Sequence, residues 1–201
     1  MVQGFGRAAL VLVALLSPAA PLLAQTQVDS IAGQLLVAAP GIDDPRFADT
    51  VIYVVHHDRD GAFGIVINRP AGTKSIAELL ESIGQDPNGA TGSVPIFIGG
   101  PVQSELGFVL HTADYHDSMT LRVDDKFAVT SDPNILCDIA AGKGPKRSLV
   151  AFGYTGWGPG QLEDELGHNA WYLAPADGEL LFDQDRDSVW DRAFQRRTLR
   201  L

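Results

Sequence analysis

The five histidines are the first candidates for chemistry in this sequence, because an imidazole acts as a base or a metal ligand near neutral pH. His56 and His57 are adjacent, so on a strand they face opposite sides and do not readily share one metal ion. His111 and His116 lie near acidic residues, but the histidine spacing matches no zinc motif such as H-E-x-x-H. We therefore expect hydrogen-bonded or surface histidines, with no metal site and no cofactor.

Nucleophilic catalysis would require a nucleophile, a base and an orienting group within hydrogen-bond reach. Ser104, Thr155 and Cys137 are the candidate nucleophiles, and the sequence contains no G-x-S-x-G elbow. Cys137 falls on a predicted apolar helix face, where a free cysteine is usually buried and inert. Asp43 and Asp44 could form a catalytic carboxylate pair, but an aspartate before a proline is more typical of a helix N-cap.

The stretch from Gly153 to Gly160 contains four glycines and precedes a predicted helix, an arrangement that could cradle a phosphate. Its spacing matches neither G-x-G-x-x-G nor G-x-x-x-x-G-K-S/T. The helix start carries Glu163, Asp164 and Glu165, whose charges would repel a phosphate. We interpret the stretch as a structural turn that lets the backbone and Trp157 pack closely.

Composition places the chain among folded globular proteins, since 45% of its 201 residues are hydrophobic and 20% are charged. The formal net charge of −10 disfavours nucleic-acid binding, which depends on cations that neutralise phosphates. The single cysteine excludes an intrachain disulfide. Without repeats or linker-like composition after residue 24, we predict one domain over residues 25–201.

Residues 1–24 have the pattern of a secretory signal peptide. Arg7 is followed by an apolar run from Ala8 to Leu16 and by small residues that end at Ala24. The run is too short to span a bilayer as a helix, so we expect no stable membrane insertion once the segment is cleaved. The pattern predicts export, to the periplasm in a bacterium; the alternative is a cytoplasmic protein.

The elements that would position these residues begin with three predicted strands over residues 35–38, 50–56 and 62–68. The last two flank a tight turn that ends at Gly61, for which we predict a positive φ. Neither strand alternates between apolar and polar residues, which indicates that both faces are covered. The hairpin should therefore be central, with Val54 and Ile65 buried.

The rest of the chain mixes helices and strands, which predicts an α+β fold. Ser75 and Glu78 form a capping box in a predicted helix over residues 73–83. Three further helices are predicted to begin near Asp132, Pro159 and Asp187. Short apolar runs predict strands over residues 95–98, 107–111, 119–123, 126–130, 148–154 and 180–182.

Several of these segments together resemble the YqgE/AlgH family of bacterial proteins. The blocks that carry the resemblance are Asp44-Pro45-Arg46-Phe47, Asp60-Gly61-Ala62-Phe63-Gly64, Asn68-Arg69-Pro70, Gly99-Gly100-Pro101, the sequence GFVLH over residues 107–111 and GYTGWGPGQLEDEL over residues 153–166. The matched motif positions are Pro45, Phe47, His57, Gly61, Gly64, Asn68, Pro70, Gly99, Gly100, Pro101, His111, Gly153, Gly156, Trp157, Gln161 and Trp171.

The resemblance implies a mixed sheet that partly closes into a small barrel, with helices around it. It also implies a non-enzymatic regulatory or protein-binding module, because one member is associated with regulation of alginate synthesis and members are often labelled transcriptional regulators. Charge and the absence of a helix-turn-helix pattern argue against direct DNA binding, so we expect an unidentified protein partner. The alternative is a hydrolase or small-ligand enzyme with a pocket near His57, Gly99-Gly100 and Trp157.

Overall fold

Ten strands form one curled, largely antiparallel sheet in the computed structural model, which describes residues 29–87 and 89–198. The strands are β1 Gln34–Ala38, β2 Val51–Asp58, β3 Gly61–Val66, β4 Pro70–Ser75, β5 Ser93–Ile98, β6 Val102–Thr112, β7 Thr120–Arg122, β8 Phe127–Thr130, β9 Ser148–Trp157 and β10 Trp171–Pro175. The helices are α1 Ile76–Ser82, α2 Asn134–Ala140, α3 Gln161–Gly167, α4 Gly178–Phe182 and α5 Val189–Gln195. The predicted signal peptide lies outside the described residues.

The order of strands along the sheet is β10-β1-β2-β3-β9-β6-β8-β7, and β4 and β5 extend it beside β9. The curled sheet is thus a partly closed barrel with helices outside it, as expected for the fold class. Among the described residues, no helix is long and apolar enough to cross a membrane.

The hairpin of β2 and β3 lies in the middle of this sheet, between β1 and β9. Val54 and Ile65 are both fully buried, because helices cover the two faces of these strands. Gly61 has a φ of 136°, and a Cβ there would overlap the carbonyl oxygen of Trp157. The predictions of a central hairpin, two buried side chains and a positive φ are confirmed.

A backbone crossing explains the glycines of the Gly99-Gly100 block. Residues 150–152 of β9 pair with β5 in parallel and with β6 antiparallel, so β5 and β6 lie on opposite edges of β9. The connection between them must pass over β9. A Cβ at Gly99 or Gly100 would overlap the β9 backbone, and one at Gly153 would overlap the Gly100 carbonyl. Glycine is required where the two backbones touch.

Three hydrophobic clusters cover the two faces of the sheet. The largest packs Tyr53, Ile65 and Leu110 against α4 and α5, which contribute Leu180 and Val189. The second lies on the opposite face of the hairpin, where α3 covers the side chains of Ile52 and Val54. The third lies beneath α1 and α2. These clusters hold α3 and the end of β9 at fixed positions relative to the hairpin.

Three sequence predictions need correction. Residues 73–75 belong to strand β4, and the helix begins only at Ile76, although the capping box of Ser75 and Glu78 is present as predicted. The predicted strand over residues 180–182 is part of α4, because Asp177 accepts hydrogen bonds from the N–H groups of Glu179 and Leu180 and caps a helix there. Cys137 is exposed on α2 and is not buried.

The other helices begin slightly later than predicted. Asp132 accepts a hydrogen bond from the Asn134 N–H, and α2 begins at Asn134. Helix α3 begins two residues after Pro159, behind Gly160 with a φ of 76°. Helix α5 begins at Val189, two residues after Asp187. Strands β4 and β10 were not predicted.

Candidate functional site

The carboxylate of Glu165 accepts three side-chain hydrogen bonds beside an open cleft. Its Oε2 accepts hydrogen bonds from the indole N–H groups of Trp157 and Trp171, each at 2.8 Å. Its Oε1 accepts a third from the Gln161 side-chain amide at 2.9 Å. We call these four residues the Glu165 network. Three N–H donors on one carboxylate fix the position and orientation of both indole rings.

Three elements bring the network together. Helix α3 carries Gln161 and Glu165 one turn apart on one face. Trp157 is the last residue of β9, and Trp171 is the first residue of β10. The Gln161 side-chain oxygen Oε1 also accepts the Gly158 N–H at 3.1 Å, which ties the start of α3 to the turn after β9.

The two indoles form a rigid wall. Trp157 is 8% exposed and Trp171 is 3% exposed, and their rings meet edge to face with centroids 6.2 Å apart. Phe47 packs edge to face against Trp171 at 5.5 Å. The residues before β2 are thereby attached to the start of β10.

An open cleft of about 720 Å³ lies against this wall, and we call it the tryptophan cleft. Three stretches of the chain contribute lining residues: residues 39–44 with Arg46 and Phe47, then Pro101 and Val102, and third a subset of residues between 155 and 171. Its volume falls within the range of roughly 300–1,000 Å³ usual for ligand sites. Pro40, Ile42 and Val102 supply apolar walls.

The charged groups of the tryptophan cleft are mainly acidic. Asp44 caps the short 3-10 helix Pro45–Phe47, as predicted, and pairs with Arg46 at 2.7 Å. Hydrogen bonds from the Arg46 side chain and backbone lower the pKa of Asp44 below its usual range. Asp43 and Glu165 also line the cleft. Because Arg46 is neutralised by Asp44, the cleft carries a net negative charge.

His57 lies behind the cleft and not in it. Its Nδ1 accepts the Ile31 N–H at 3.2 Å, so its Nε2 carries the proton and donates to Glu163 Oε1 at 2.8 Å. The imidazole is 3% exposed. It joins the start of the described chain to α3, on a different face of that helix from Glu165. This is the hydrogen-bonded state expected for the histidines.

His111 belongs to a second buried network on the far part of β6. Its Nδ1 donates to the Thr112 carbonyl at 2.8 Å, and its Nε2 contacts the Thr130 hydroxyl at 2.9 Å. Burial lowers the pKa of His111, although Asp114 and Asp117 partly oppose the effect. Among the described residues, no group of three or more histidine, cysteine or acidic side chains has the geometry of a metal site.

Comparison with known proteins identifies the family of this chain. The AlgH-like family model matches residues 35–201. The chain belongs to the AlgH-like family. A UPF0301 protein of Jannaschia sp. (strain CCS1) is 47% identical over 167 residues, covering 82% of this chain and 87% of the relative. A UPF0301 protein of Caulobacter vibrioides is 47% identical over 163 residues, covering 80% of this chain and 84% of the relative.

Solved structures support the AlgH-like fold. The solution structure of the AlgH protein from Pseudomonas aeruginosa matches with a TM-score of 0.72 and 39% identity, covering 90% of this chain and 92% of that one. A crystal structure of a Corynebacterium diphtheriae protein matches with a TM-score of 0.65 and 21% identity, covering 86% and 90% of the two chains. At that identity the second match shows the fold alone.

The motif positions of the AlgH-like chain divide into two groups. One group lines the tryptophan cleft: Phe47, Pro101, Gly156, Trp157, Gln161 and Trp171. The other lies outside the cleft lining and consists of Pro45, His57, Gly61, Gly64, Asn68, Pro70, Gly99, Gly100, His111 and Gly153. In that second group Asn68, for example, accepts the Val51 N–H and donates to the Asp49 carbonyl.

The pocket predicted near His57, Gly99-Gly100 and Trp157 therefore differs from the cleft observed. Only Trp157 of those residues lines it, since His57 is buried behind α3 and the two glycines lie in the backbone crossing. Glu165 was not predicted as a functional residue. The signal that could have revealed it is a carboxylate four residues after Gln161, with a tryptophan before and after it in sequence.

Proposed function

We propose that this chain is a non-enzymatic protein-binding module and that the tryptophan cleft is its contact surface. The observation that supports this most directly is the Glu165 network. It holds two tryptophans and a carboxylate in place along one wall of an open cleft, with no ligand bound. Preorganised aromatic side chains are typical of the residues that dominate protein interfaces.

The polar side chains of the cleft favour recognition over catalysis. The Thr155 hydroxyl donates to the Gly64 carbonyl at 3.0 Å, and Gln161 bonds both Gly158 and Glu165. The His168 ring nitrogen Nδ1 contacts the Asp164 carbonyl at 2.8 Å. A catalytic site needs a nucleophile and base aimed at each other, whereas these groups are directed at the protein backbone or at Glu165.

A regulatory role follows if occupancy of the cleft controls a partner. The partner is better sought among proteins than nucleic acids, because a net charge of −10 opposes a polyanion. We also propose that the chain is exported through residues 1–24, so that the partner would be met outside the cytoplasm.

The binding proposal is tested by panning a random-peptide display library on the purified chain. Enriched peptides should slow hydrogen exchange at residues 39–47 and 155–171 when they bind. Val102→Lys, which alters an exposed wall of the cleft, should weaken their binding. Leu121→Lys is the matched control, because Leu121 is an exposed strand residue outside the cleft lining. Peptides that bind Val102→Lys as well as the parent chain would contradict the proposal.

A further inference from the structure

Among the described residues, the last residues of β9 pair with a strand on one edge only. Strand β6 pairs with β9 as far as Val102 and Tyr154 and does not continue along residues 155–157. Strand β3 pairs with those three residues on the opposite edge. The tryptophan cleft is lined by Thr155, Gly156 and Trp157 together with Val102, so it opens at the point where β6 leaves β9.

The alternation of backbone groups in β3 shows which groups of β9 face the cleft. The Val66 N–H donates to the Gly99 carbonyl at 2.8 Å, away from β2. Backbone groups of alternate residues point to the same edge of a strand. Ala62 and Gly64 therefore direct their N–H and C=O groups away from β2 as well, towards β9.

The hydrogen-bonded pairs between β3 and β9 are therefore Ala62 with Trp157 and Gly64 with Thr155. Phe63 and Gly156 lie opposite each other between these two pairs and form a non-hydrogen-bonded pair. The direction of the Trp157 carbonyl agrees, because it lies against Gly61 at the start of β3. The N–H and C=O of Gly156 consequently point to the other edge of β9, into the cleft.

The surroundings of this edge match an extended peptide with a basic side chain. Pro101 and Val102 border the edge and provide apolar contacts of the kind that select alternate side chains of an added strand. Asp43 and Glu165 supply negative charge to the same cleft. Arg46 is the one lysine or arginine in the part of the cleft lining that the structure describes, and Asp44 neutralises it.

We infer that the tryptophan cleft binds an extended segment of a partner protein. The segment adds to the sheet as a short strand in line with β6, pairs with the N–H and C=O of Gly156, and places an arginine or lysine near Asp43 and Glu165. This inference rests on the proposed binding function and specifies how the partner is recognised.

Purified full chain and fluorescein-labelled peptides test the inference by fluorescence polarisation. The probe is acetyl-Thr-Val-Arg-Val-Thr-amide, and the matched control carries glutamate in place of arginine. The arginine peptide should bind more tightly, and the difference should shrink as NaCl rises from about 0.05 to about 0.5 M because salt screens exposed charges. Equal binding of the two peptides would overturn the predicted charge preference.

Two N-methylated peptides test strand pairing from the ligand side. In one, the first, third and fifth residues are methylated at the backbone nitrogen; in the other, the second and fourth are. Only one edge of an added strand faces β9, so one peptide should bind about tenfold more weakly than the other, the equivalent of one lost hydrogen bond. Equal affinities would exclude backbone pairing.

Two protein variants test the pairing from the Gly156 side. Gly156→Pro removes the N–H that faces the cleft, and proline is tolerated at a strand position whose N–H has no partner. Gly156→Ala keeps the N–H, and its Cβ would contact only the Tyr154 ring at 3.4 and 3.9 Å. We expect Gly156→Pro to bind the arginine peptide about tenfold more weakly than Gly156→Ala, because only the alanine variant keeps the N–H.

The outcomes separate this inference from the proposed function. Normal binding to Gly156→Pro overturns the inference. If that variant does not fold, the pair of N-methylated peptides decides the same question with the parent chain. Some library peptides could slow hydrogen exchange in the cleft and yet lack a basic residue or bind in a conformation other than an extended strand. Such peptides would overturn the inference and leave the binding function intact. Library peptides that bind elsewhere would overturn both.

Discussion

Replacing Glu165 with alanine should destabilise the fold more than any other single truncation of an acidic side chain in α3. The change removes the acceptor shared by the indole N–H groups of Trp157 and Trp171 and by the Gln161 amide. Both indoles are almost completely buried, at 8% and 3% exposure, so their N–H groups have little access to replacement water.

The expected magnitude follows from the type and burial of these bonds. A hydrogen bond to a charged group contributes about 1.5–3 kcal/mol, and a buried donor left without a partner costs about 1–3 kcal/mol. Two buried indole donors at the low end of these ranges, with little from the exposed Gln161, give about 3–4 kcal/mol for Glu165→Ala. For a domain of this size each kcal/mol lowers Tm by roughly 2–4 °C.

Glu165→Gln separates the hydrogen bonds from the charge. Its amide oxygen replaces Oε2 as the acceptor of both indoles, but its NH₂ group then faces the NH₂ group of Gln161. Neutral acceptors bind about half as strongly as charged ones, so we expect a loss of about 1–2 kcal/mol. The order of stability should be parent, Glu165→Gln, Glu165→Ala.

Urea unfolding followed by circular dichroism measures these differences, with equal m-values as the condition for comparing midpoints. Glu81→Ala is the matched control, since Glu81 is an exposed glutamate near the end of α1. The control should lie within about 0.5 kcal/mol of the parent. A Glu165→Ala chain as stable as Glu81→Ala would refute the conclusion that Glu165 holds the indoles in place.

Further expectations concern the hairpin, the buried imidazole and the N-terminus. Val54→Ala should cost about 1–3 kcal/mol in urea unfolding, because a fully buried side chain leaves a cavity. Gly61→Ala should cost more than about 1 kcal/mol, since the added methyl meets the Trp157 carbonyl; a fully stable variant would contradict this. Burial lowers the pKa of His111 in the folded chain, so the unfolded chain binds the proton at a higher pH than the folded chain does. The free energy of unfolding should therefore fall as pH drops below about 6.5, and it should fall less steeply with pH in His111→Asn. Residues 1–26 fused to a reporter that is active only after export should give activity, whereas an inactive reporter would favour the cytoplasmic alternative.

The hairpin could be predicted from sequence because its information is local. Two long apolar runs flank one short turn, so pattern, turn chemistry and burial all indicate the same structure. Strand β4 lacked such a signal. Its sequence, PAGTKS, contains proline, glycine and lysine, and it lies exposed at the edge beside β5, where burial imposes no alternation.

Long-range pairing was beyond sequence reasoning. Strand β10 pairs with β1 across more than half of the chain, and β9 pairs with β3 across slightly less than half of it. Nothing in the local pattern of either strand identifies its partner. The same limit applies to the candidate site. Trp157 ends β9 and Trp171 begins β10, and their rings meet because α3 and the turns on either side of it bring the chain back to the end of β9. Glu165 was therefore interpreted only as an acidic residue near a helix start.

The glycine crossing and the open cleft have a common cause in the topology. The connection from β5 to β6 must pass over β9, and it does so at Gly99 and Gly100, against Gly153. Because that crossing brings the chain to the far edge of β9 only at Val102, β6 cannot pair beyond Tyr154. The residues that follow in β9 therefore keep an edge that no described strand pairs with. The glycines needed for the fold thus also create the edge at Gly156, and the Glu165 network places a rigid, acidic wall beside it.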